Sequence, residues 1–499
     1  MIFYSVYFSR DFALYLVASV LFFWLAQGVG ASGSGLNPDD WYNQMGSAWA
    51  WEEGRWLIEI IFFYGLGGSM ADGAQILLAA VLYALVPLLI ISDKPNYPLS
   101  FLAFSIMVSH PFMAEVLNFN IGILPFALGA FLTAAGTRFT LTGVDVDDAG
   151  SRWTTLALRL IVSITALVLA FSIYQPLVVV AFATIGSHLL WSVTSDVMPP
   201  SIGKTLVLGA LLVAAAVLIY AGVALITIPM ADGSASPRFS EPIERDLVPM
   251  YFAETLAKLV LVWIGYMFHS YPEHFHYLAG AMIISIGLSG ALIATRRSER
   301  GSKLSPARVA ISLIIVFVPF ALLALAFGHF RIRVQYLIGL PLGLFATFFS
   351  AALLRDTKVG RSLGISLLVI AVLFMMSSLA TSSALWQIQK LRSDRDMTAL
   401  DAIYTDFLIF TRENNVRRDS LNVFGSSKAD FRGDDIGQVW SMGRSILPLE
   451  TAPIISLRHG IATFGNDHMP DDLHCAAFPA VGAWLVVDGV ASVCLQDFP

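Results

Sequence analysis

The residues best suited to chemistry are two adjacent carboxylates, Asp39 and Asp40, which follow the first long apolar run of the chain. Neighbouring carboxylates near a low-dielectric membrane resist being charged together, so one of them would take up a proton readily. Such a group could act as a general base near neutral pH. The structural alternative is that both residues cap a surface helix, with Pro38 shaping the turn before it.

Aromatic rings and one arginine follow this acidic pair closely. Flat rings stack on sugar faces, and the planar guanidinium of Arg55 suits a phosphate held through two hydrogen bonds. Tryptophan is also typical of the interfacial belt of membrane proteins, which is the plain explanation for any one of these residues. The aromatic residues concerned are Trp41, Tyr42, Trp49, Trp51 and Trp56.

Two later turns add polar side chains at the ends of apolar runs. The first carries His110, Glu115 and Asn118, and the second carries Tyr174 and Gln175. Each also has an ordinary structural explanation, namely a histidine satisfied within the fold, a carboxylate that faces water, or a helix cap.

A third turn carries two arginines, Arg331 and Arg333. The turn lies outside the cytoplasm in the topology that the charges favour, which opposes the usual bias of positive residues toward the cytoplasmic side. A pair of arginines can neutralise a departing phosphate. Anionic lipid headgroups would attract such a pair equally well, so both explanations stay open.

The segment 230–276 is rich in charge and contains His274-Phe275-His276. Two histidines at this spacing could suggest a metal site, but no spaced third ligand accompanies them, so none is predicted. The chain also has no CxxC or His/Cys cluster, which argues against a zinc site. A mobile loop over a substrate groove is a reasonable use of this segment.

Long apolar runs must position these groups. Hydrophobic residues make up 57% of the chain and charged residues only 13%, whereas soluble domains carry about 25% charged residues. Runs of about 20 apolar residues cross membranes, so we expect an all-α polytopic membrane protein whose first run is an uncleaved span. About eleven spans are predicted, near 12–30, 74–92, 99–115, 121–137, 154–173, 176–192, 203–229, 277–295, 308–327, 334–354 and 363–382.

The run 250–270 decides the topology, because it is apolar enough to span yet contains Glu254 and Lys258. If it crossed, the basic clusters 296–308 and 355–361 would lie outside the cytoplasm. If it is a re-entrant or surface helix, every basic loop falls inside, as the positive-inside bias favours. The N-terminus is then cytoplasmic. The external segments are the loops 31–73 and 230–276 and the C-terminal tail.

The composition becomes mixed from residue 386 onward, which predicts a small soluble α/β domain at 386–499 after a membrane bundle at 1–385. This domain begins with a helix-like stretch, 386–414. Cys475 and Cys494 would face an oxidising compartment, where a disulfide between them is expected, with two buried free thiols as the alternative. The strand-like runs are Leu421–Phe424, Ile454–Leu457 and Ala483–Val487.

In their order and placement, these motifs resemble the type II Gtr glucosyltransferases, which modify bacterial O-antigen. The resemblance extends over most of residues 1–385, although each motif in it is short. It rests on Asp39-Asp40-Trp41-Tyr42, Gly54-Arg55-Trp56, His110-Pro111-Phe112 leading to Asn118, Ser172-Ile173-Tyr174-Gln175, and Arg333 at the start of a late span.

The resemblance implies a GT-C-like bundle in the bacterial inner membrane that uses a polyprenyl-phosphate-linked sugar, usually glucose. Partner proteins would flip this donor to the periplasmic leaflet. There a hydroxyl of lipopolysaccharide O-antigen or a related polysaccharide would attack it in an inverting displacement. Asp39 or Asp40 would be the base, and Arg55, Arg331 and Arg333 are the candidates for binding the donor phosphate. The expected substrate contacts are Trp41, Tyr42, Trp56, His110, Glu115, Asn118, Tyr174 and Gln175.

Two other classes of function compete with this one. A transporter or flippase of lipid-linked glycans is the first, and the scarcity of charged residues in the spans argues against it. The second is a non-catalytic assembly or sensor protein whose tail binds a partner. Sugar transfer needs no redox cofactor, but the adjacent carboxylates could hold a divalent metal. Membrane lipids are expected partners, and no strongly basic stretch suggests nucleic acid.

Overall fold

The computed structural model describes residues 9–33, 51, 54–68, 73–91, 96–142, 152–190, 201–230, 248–266, 271–295, 306–326, 335–355, 358–424, 455–456, 459–466, 474–480 and 482–495. Of the candidate site residues, Asp39, Asp40, Trp41, Tyr42, Arg331 and Arg333 lie outside these ranges. The chain divides into two compact units between Ser383 and Ala384, and Asn118–Asn120 belongs to the second unit.

The first unit is built of helices. They are α1 (Arg10–Phe23), α2 (Val29–Gly33), α3 (Trp56–Glu59), α4 (Gly73–Ile91), α5 (Tyr97–Ser109), α6 (Pro111–Leu117), α7 (Ile123–Leu141), α8 (Arg152–Ile173), α9 (Val178–His188), α10 (Ile202–Met230), α11 (Val248–Trp263), α12 (Glu273–Thr295), α13 (Pro306–Ala326), α14 (Gly339–Leu354) and the start of α15 (Lys358–Glu413). Trp24–Gly28 and Ile60–Gly65 are π-helical, and single 3-10 turns occur at Asn120–Gly122, Gln175–Leu177 and Tyr336–Ile338.

Nine helices within the described residues are long and apolar enough to cross a membrane, and the bent pair α5–α6 would make a tenth. The chain is therefore a multi-pass membrane protein. All nine coincide with predicted spans. The two remaining predicted spans are irregular. The span 99–115 is broken at His110, and the described part of 176–192 lies mostly in the apolar helical stretch Gln175–His188, which is too short to cross alone.

The break between α5 and α6 is a bend of 66° at His110. His110 has an extended backbone, with φ of −58° and ψ of 132°, because the ring of Pro111 disfavours a helical conformation in the residue before it. The bend leaves carbonyl oxygens at the end of α5 without the helical N–H groups that would have bonded them.

Side chains from two other spans satisfy these carbonyl oxygens. The side-chain amide of Gln27, in the π-helical segment that follows α1, donates to the oxygen of Val108 at 2.6 Å. The hydroxyl of Ser382, in α15, donates to the oxygen of Ser109 at 2.8 Å. The first and last spans of the unit therefore meet at the bend.

The central helix of the unit is α14, and nearly all of its residues are buried. It packs against α5 through Gly339 and Gly343. A Cβ on Gly343 would lie 2.7 Å from the carbonyl oxygen of Ala103, and one on Gly339 would lie 2.9 Å from Cα of Met107. The Gly-x-x-x-Gly spacing thus allows two membrane helices to approach at backbone distance.

The run 250–270 is described as far as residue 266 and lies mostly in α11, whose 16 residues fall short of the usual spanning length. Glu254 and Lys258 form an ion pair one helical turn apart, and both side chains are exposed. Trp263 at the other end is buried, with its ring 5.5 Å from that of Phe317 in α13. A charged face and a buried face suit a helix at a membrane surface, which is the placement that the charge pattern favours.

The last predicted span and the predicted soluble helix 386–414 form one continuous helix, the 56-residue α15. The helix predicted at 386–414 is therefore confirmed as far as Glu413, and it continues the last predicted span without a break. Residues 365–413 contain no Gly or Pro that would end a helix. The two compact units nevertheless divide within α15, close to the predicted boundary at 385.

The second unit contains a four-stranded sheet in the order β2-β1-β4-β3, so it is α/β as predicted. Its strands are β1 (Ser420–Phe424), β2 (Ala462–Asn466), β3 (Trp484–Val487) and β4 (Val490–Cys494). β1 pairs in parallel with β2 and β4, and β3 pairs antiparallel with β4. Leu400, Ile403 and Phe407 of α15 pack in one core with Leu421 and Val423 of β1.

The predicted strand Ile454–Leu457 is wrong. Its described residues, Ile455 and Ser456, are helical, and Ile455 is buried in the core shared by α15 and the sheet. A short apolar run indicates burial more reliably than it indicates a strand. The strands β2 and β4 are not among the predicted strands.

A disulfide of 2.06 Å joins Cys475 to Cys494, the pairing expected from the sequence. Cys494 ends β4 and packs with Phe424, whereas its neighbour Val493 contributes to the core beneath α15. Because successive side chains of a strand point to opposite faces, the disulfide lies on the face of the sheet opposite α15.

Candidate functional site

The segment before α3 and the turn between α8 and α9 meet at Arg55. Its Nε–H donates to Oε1 of Gln175 at 3.1 Å. Its guanidinium carbon lies 4.9 Å from the centre of the Tyr174 ring. A hydrogen bond at one edge and a ring against one face together fix the orientation of a guanidinium. Arg55 is thus in direct contact with two predicted site residues, Tyr174 and Gln175, that lie far from it in sequence.

The local backbone presents these side chains. Gly54 has a φ of +69°, a left-handed conformation that favours glycine, and it turns the chain into α3. At the other side, α8 ends at Ile173, Tyr174 is extended, and a 3-10 turn containing Pro176 follows. This interruption between α8 and α9 directs the Tyr174 ring and the amide of the next residue toward Arg55.

Tyr220 of α10 completes the group. The side-chain N–H of Gln175 donates to the Tyr220 hydroxyl at 2.6 Å, and that hydroxyl donates to the carbonyl oxygen of Gly54 at 3.3 Å. A Cβ on Gly54 would lie 2.7 Å from the same hydroxyl, so a larger residue would displace it. Tyr220 was not predicted from the sequence, although one tyrosine within an apolar run is a detectable signal.

The Tyr174 ring belongs to a buried aromatic cluster. Its centroid lies 4.9 Å from that of Phe126 in α7 and 6.1 Å from that of Tyr336 at the start of α14. All three side chains are buried. Rings packed in this way hold Tyr174 in place, and Tyr174 in turn supports Arg55.

Helix α3 places Trp56 and a buried carboxylate, Glu59, within one turn of Arg55. Trp56 is half-buried, and its indole N–H has no hydrogen-bond partner among the residues that the structure describes. Glu59 is 8% exposed, and α3 packs against α8. Glu59 was not predicted, although an acidic residue in an apolar run of a membrane protein is itself a signal of function.

His110, at the bend between α5 and α6, is fully buried. Its Nδ1 accepts a hydrogen bond from the backbone N–H of Phe112 at 3.3 Å, so this nitrogen carries no proton. Its ring contacts those of Phe112, Phe275 and Phe374, at centroid distances of 4.7, 6.1 and 6.0 Å. The ring therefore lies in an aromatic environment, while its Nε2 has no hydrogen-bond partner among the residues that the structure describes.

Glu115 of α6 is only 1% exposed, so the alternative that it simply faces water is wrong. It interacts electrostatically with Tyr271, which lies just before α12. Burial raises the pKa of Tyr271 well above its ordinary value, and the negative charge of Glu115 raises it further. Asn118, which follows α6 directly, is also buried and belongs to the second compact unit.

The 3-10 turn Tyr336–Ile338 borders both groups of residues. Helix α6, which carries Glu115, packs against this turn. The first residue of the turn, Tyr336, contacts Tyr174 in the group around Arg55. The buried carboxylate and the arginine therefore flank the same end of α14.

The residue before this turn, Gln335, is buried and held by two hydrogen bonds. It accepts from the indole N–H of Trp263 at 3.4 Å and donates to the carbonyl oxygen of Phe320 at 3.1 Å. Gln335 follows Arg333 by two positions. The C-terminal side of the predicted arginine turn is thus anchored beside Tyr336, although both arginines lie outside the described residues.

Within the described ranges, no group of three or more His, Cys, Asp or Glu residues is placed to hold a metal ion. His276, one of the histidines considered for a metal, uses its Nδ1–H to donate to the carbonyl oxygen of Ile264 at 2.9 Å. The carboxylates that could hold a divalent cation, Asp39 and Asp40, are outside those ranges.

No protein-family model matches the chain, and no curated protein or solved structure matches it either. The resemblance to the type II Gtr glucosyltransferases therefore stays a prediction from the motif residues alone.

Proposed function

We propose that this protein is a membrane glycosyltransferase of the GT-C type. It would move a sugar, glucose by its resemblance, from a polyprenyl-phosphate donor to a hydroxyl of lipopolysaccharide O-antigen or a related polysaccharide. The observation that carries the proposal is the placement of Arg55. An arginine fixed by Gln175 and Tyr174 at the end of a membrane bundle suits a phosphate whose lipid tail stays in the bilayer.

The reaction we propose is a single inverting displacement. The acceptor hydroxyl loses its proton to Asp39 or Asp40, and its oxygen forms a bond to the anomeric carbon of the donor. The bond from that carbon to the phosphate oxygen breaks, and polyprenyl phosphate leaves. Arg55, with Arg331 and Arg333, would stabilise the charge that develops on the leaving phosphate.

The same proposal places the site on the periplasmic side of a bacterial inner membrane. The basic loops favour a cytoplasmic N-terminus. This topology requires that α11 does not cross the membrane, and the placement of α11 at a membrane surface agrees with that requirement. The C-terminal α/β unit would then be periplasmic, where the disulfide between Cys475 and Cys494 is chemically suited to the oxidising environment.

One observation favours a second candidate, a transporter or flippase of lipid-linked glycans. Glu59 and Glu115 are both buried, and ionisable residues within membrane bundles often mark transport or proton pathways. The presence of these two carboxylates weakens the argument against a transporter, which rested on the scarcity of charged residues in the spans. A flippase would move the donor across the bilayer with the bond between sugar and phosphate intact, so chemistry at that bond separates the two candidates.

Substitution of Arg55 tests the proposed enzyme. The purified protein in lipid nanodiscs is supplied with labelled polyprenyl-phosphoglucose and a polysaccharide acceptor. Arg55→Ala should lower kcat/KM about 100-fold, the scale for losing one electrostatic contact to the transition state. The matched control is Arg159→Ala, because Arg159 also lies over a ring, 5.1 Å from that of Phe139 in the same bundle.

The outcome against the proposal is equally specific. If Arg55→Ala and Arg159→Ala transfer sugar at the native rate, Arg55 does not bind the donor phosphate. If Asp39→Asn and Asp40→Asn both transfer at the native rate, neither is the base.

A further inference from the structure

Tyr220 and Gln175 form a hydrogen-bonded relay that ends on Arg55. We propose that Tyr220 is a positioning residue, which acts through Gln175 to orient the guanidinium of Arg55 toward the donor phosphate. The inference rests on the proposed function, since it assigns to Arg55 the role given above. Tyr220 itself lies in α10 and is not assigned any contact with the substrate.

The chemistry of each group fixes the direction of the relay. A guanidinium has only donors, so the amide oxygen of Gln175 must be the atom that faces Arg55. The amide nitrogen is then left to face Tyr220, to which it donates at 2.6 Å. The hydroxyl oxygen of Tyr220 accepts this bond, and its single hydrogen is directed to the carbonyl oxygen of Gly54 at 3.3 Å.

The contacts of the relay form a closed ring that begins and ends at Arg55. Gly54 is bonded covalently to Arg55, so the ring of contacts runs from the Arg55 side chain through Gln175 and Tyr220 back to the preceding carbonyl group. This closed ring constrains both the backbone and the side chain of Arg55. Glycine at position 54 leaves the space that the Tyr220 hydroxyl occupies.

Removing only the hydroxyl isolates this effect. Tyr220→Phe keeps the ring and its edge-to-face contact with Phe171 at 6.4 Å. It removes the hydroxyl that accepts from the Gln175 amide and donates to the carbonyl oxygen of Gly54. Arg55 keeps its charge, its hydrogen bond to Gln175 and its contact with the Tyr174 ring, but the Gln175 amide loses the support that Tyr220 gives it.

Kinetics of the full-length protein in nanodiscs test the relay by a double-mutant cycle. Tyr220→Phe should raise KM for polyprenyl-phosphoglucose about three- to tenfold, the scale of one lost polar contact, with KM for the acceptor unchanged. In an Arg55→Ala background the same substitution should change donor kcat/KM less than about twofold. Tyr277→Phe, at an exposed position of α12, is the matched control.

A merely structural role predicts a different pattern. Tyr220→Phe would then lower activity by the same factor in both backgrounds, and that result would overturn the relay. An unchanged donor KM in the otherwise native protein would overturn it as well.

A spectroscopic measurement tests the relay independently of enzyme activity. In protein labelled with 15N-arginine, the Arg55 Nε–H signal is identified by its loss in Arg55→Lys. Tyr220→Phe should shift this signal and speed its hydrogen exchange, whereas Tyr277→Phe should not. An unmoved signal in Tyr220→Phe refutes the relay. Absence of sugar transfer by the native protein would instead refute the proposed function and leave this measurement valid.

Discussion

The guanidinium carbon of Arg55 lies 4.9 Å from the centre of the Tyr174 ring. The next residue along the chain, Gln175, accepts a hydrogen bond from the same arginine. Two consecutive residues at the end of α8 therefore hold Arg55 by its face and by its edge. The two contacts can be removed separately, which distinguishes stacking from hydrogen bonding.

Loss of the Tyr174 ring should weaken donor binding. Tyr174→Leu removes the aromatic face under Arg55, so donor kcat/KM should fall about tenfold, the scale of a partly buried cation–π contact. Tyr174→Phe keeps that face and should stay within about threefold of native. Steady-state transfer kinetics with varied donor measure both. Equal losses in the two variants would show that the ring face is not the support of Arg55.

Gln27 should stabilise the bend between α5 and α6. Gln27→Leu leaves the carbonyl oxygen of Val108 buried without its donor, which should cost about 1–3 kcal/mol of unfolding free energy. Denaturant unfolding in detergent micelles measures this change. Ser366→Ala is the control, because that exposed hydroxyl donates back along its own helix, to the Ser362 oxygen at 3.0 Å. A loss no larger than the control's would contradict the account of the bend.

The contact of α14 with α5 should not tolerate one added methyl group. Gly343→Ala would place a Cβ 2.7 Å from the Ala103 oxygen, so we expect a destabilisation of about 1–3 kcal/mol from overpacking. At Gly287 in α12, an added Cβ would have no heavy atom from beyond the adjoining helix backbone within 4 Å among the residues that the structure describes. Gly287→Ala should therefore be neutral or stabilise by up to about 1 kcal/mol. Unfolding curves that rank the two variants in the opposite order would refute this packing.

Tyr271 should make unfolding free energy depend on pH in the alkaline range. Burial and then Glu115 raise its pKa in the folded protein, so the unfolded tyrosine, with a pKa of about 10, ionises first. The contribution of Tyr271 is complete below about pH 10 and is lost as pH rises from there toward the folded pKa. Tyr271→Phe should flatten this fall, as measured by denaturant titrations at a series of alkaline pH values.

The control for this prediction is Tyr277→Phe, since Tyr277 is 74% exposed. That variant should keep the native slope above pH 10. If Tyr271→Phe and Tyr277→Phe give the same slope as the native protein, Tyr271 does not titrate as its burial implies.

The helices could be predicted from the sequence because apolar runs report directly on membrane spans. The bend at His110 follows from the adjacent Pro111, because the effect of proline on the residue before it does not depend on contacts with distant residues. The continuity of α15 could not be predicted, because a change from apolar to mixed composition marks a change of environment and not the end of a helix. The strands β2 and β4 depend on pairing with β1, which is distant in sequence.

The site could be predicted only in part, for a related reason. Arg55, Tyr174 and Gln175 were singled out by residue type and position, and the structure brings them together. Tyr220 and Glu59 were not predicted, since their importance lies in contacts and burial that a linear pattern does not contain. The sequence marks Glu115 as a candidate, but its burial follows from the packing of α6 within the bundle.

The most direct test of the central claim is the fate of the bond between sugar and phosphate. Native protein in nanodiscs is incubated with synthetic polyprenyl-phosphoglucose and a polysaccharide acceptor, and mass spectrometry quantifies free polyprenyl phosphate and glucosylated polysaccharide. We predict that the two products form in equal amounts and that glucose is attached with inverted anomeric configuration. An intact donor and an unmodified acceptor would contradict the claim that this protein is a glycosyltransferase.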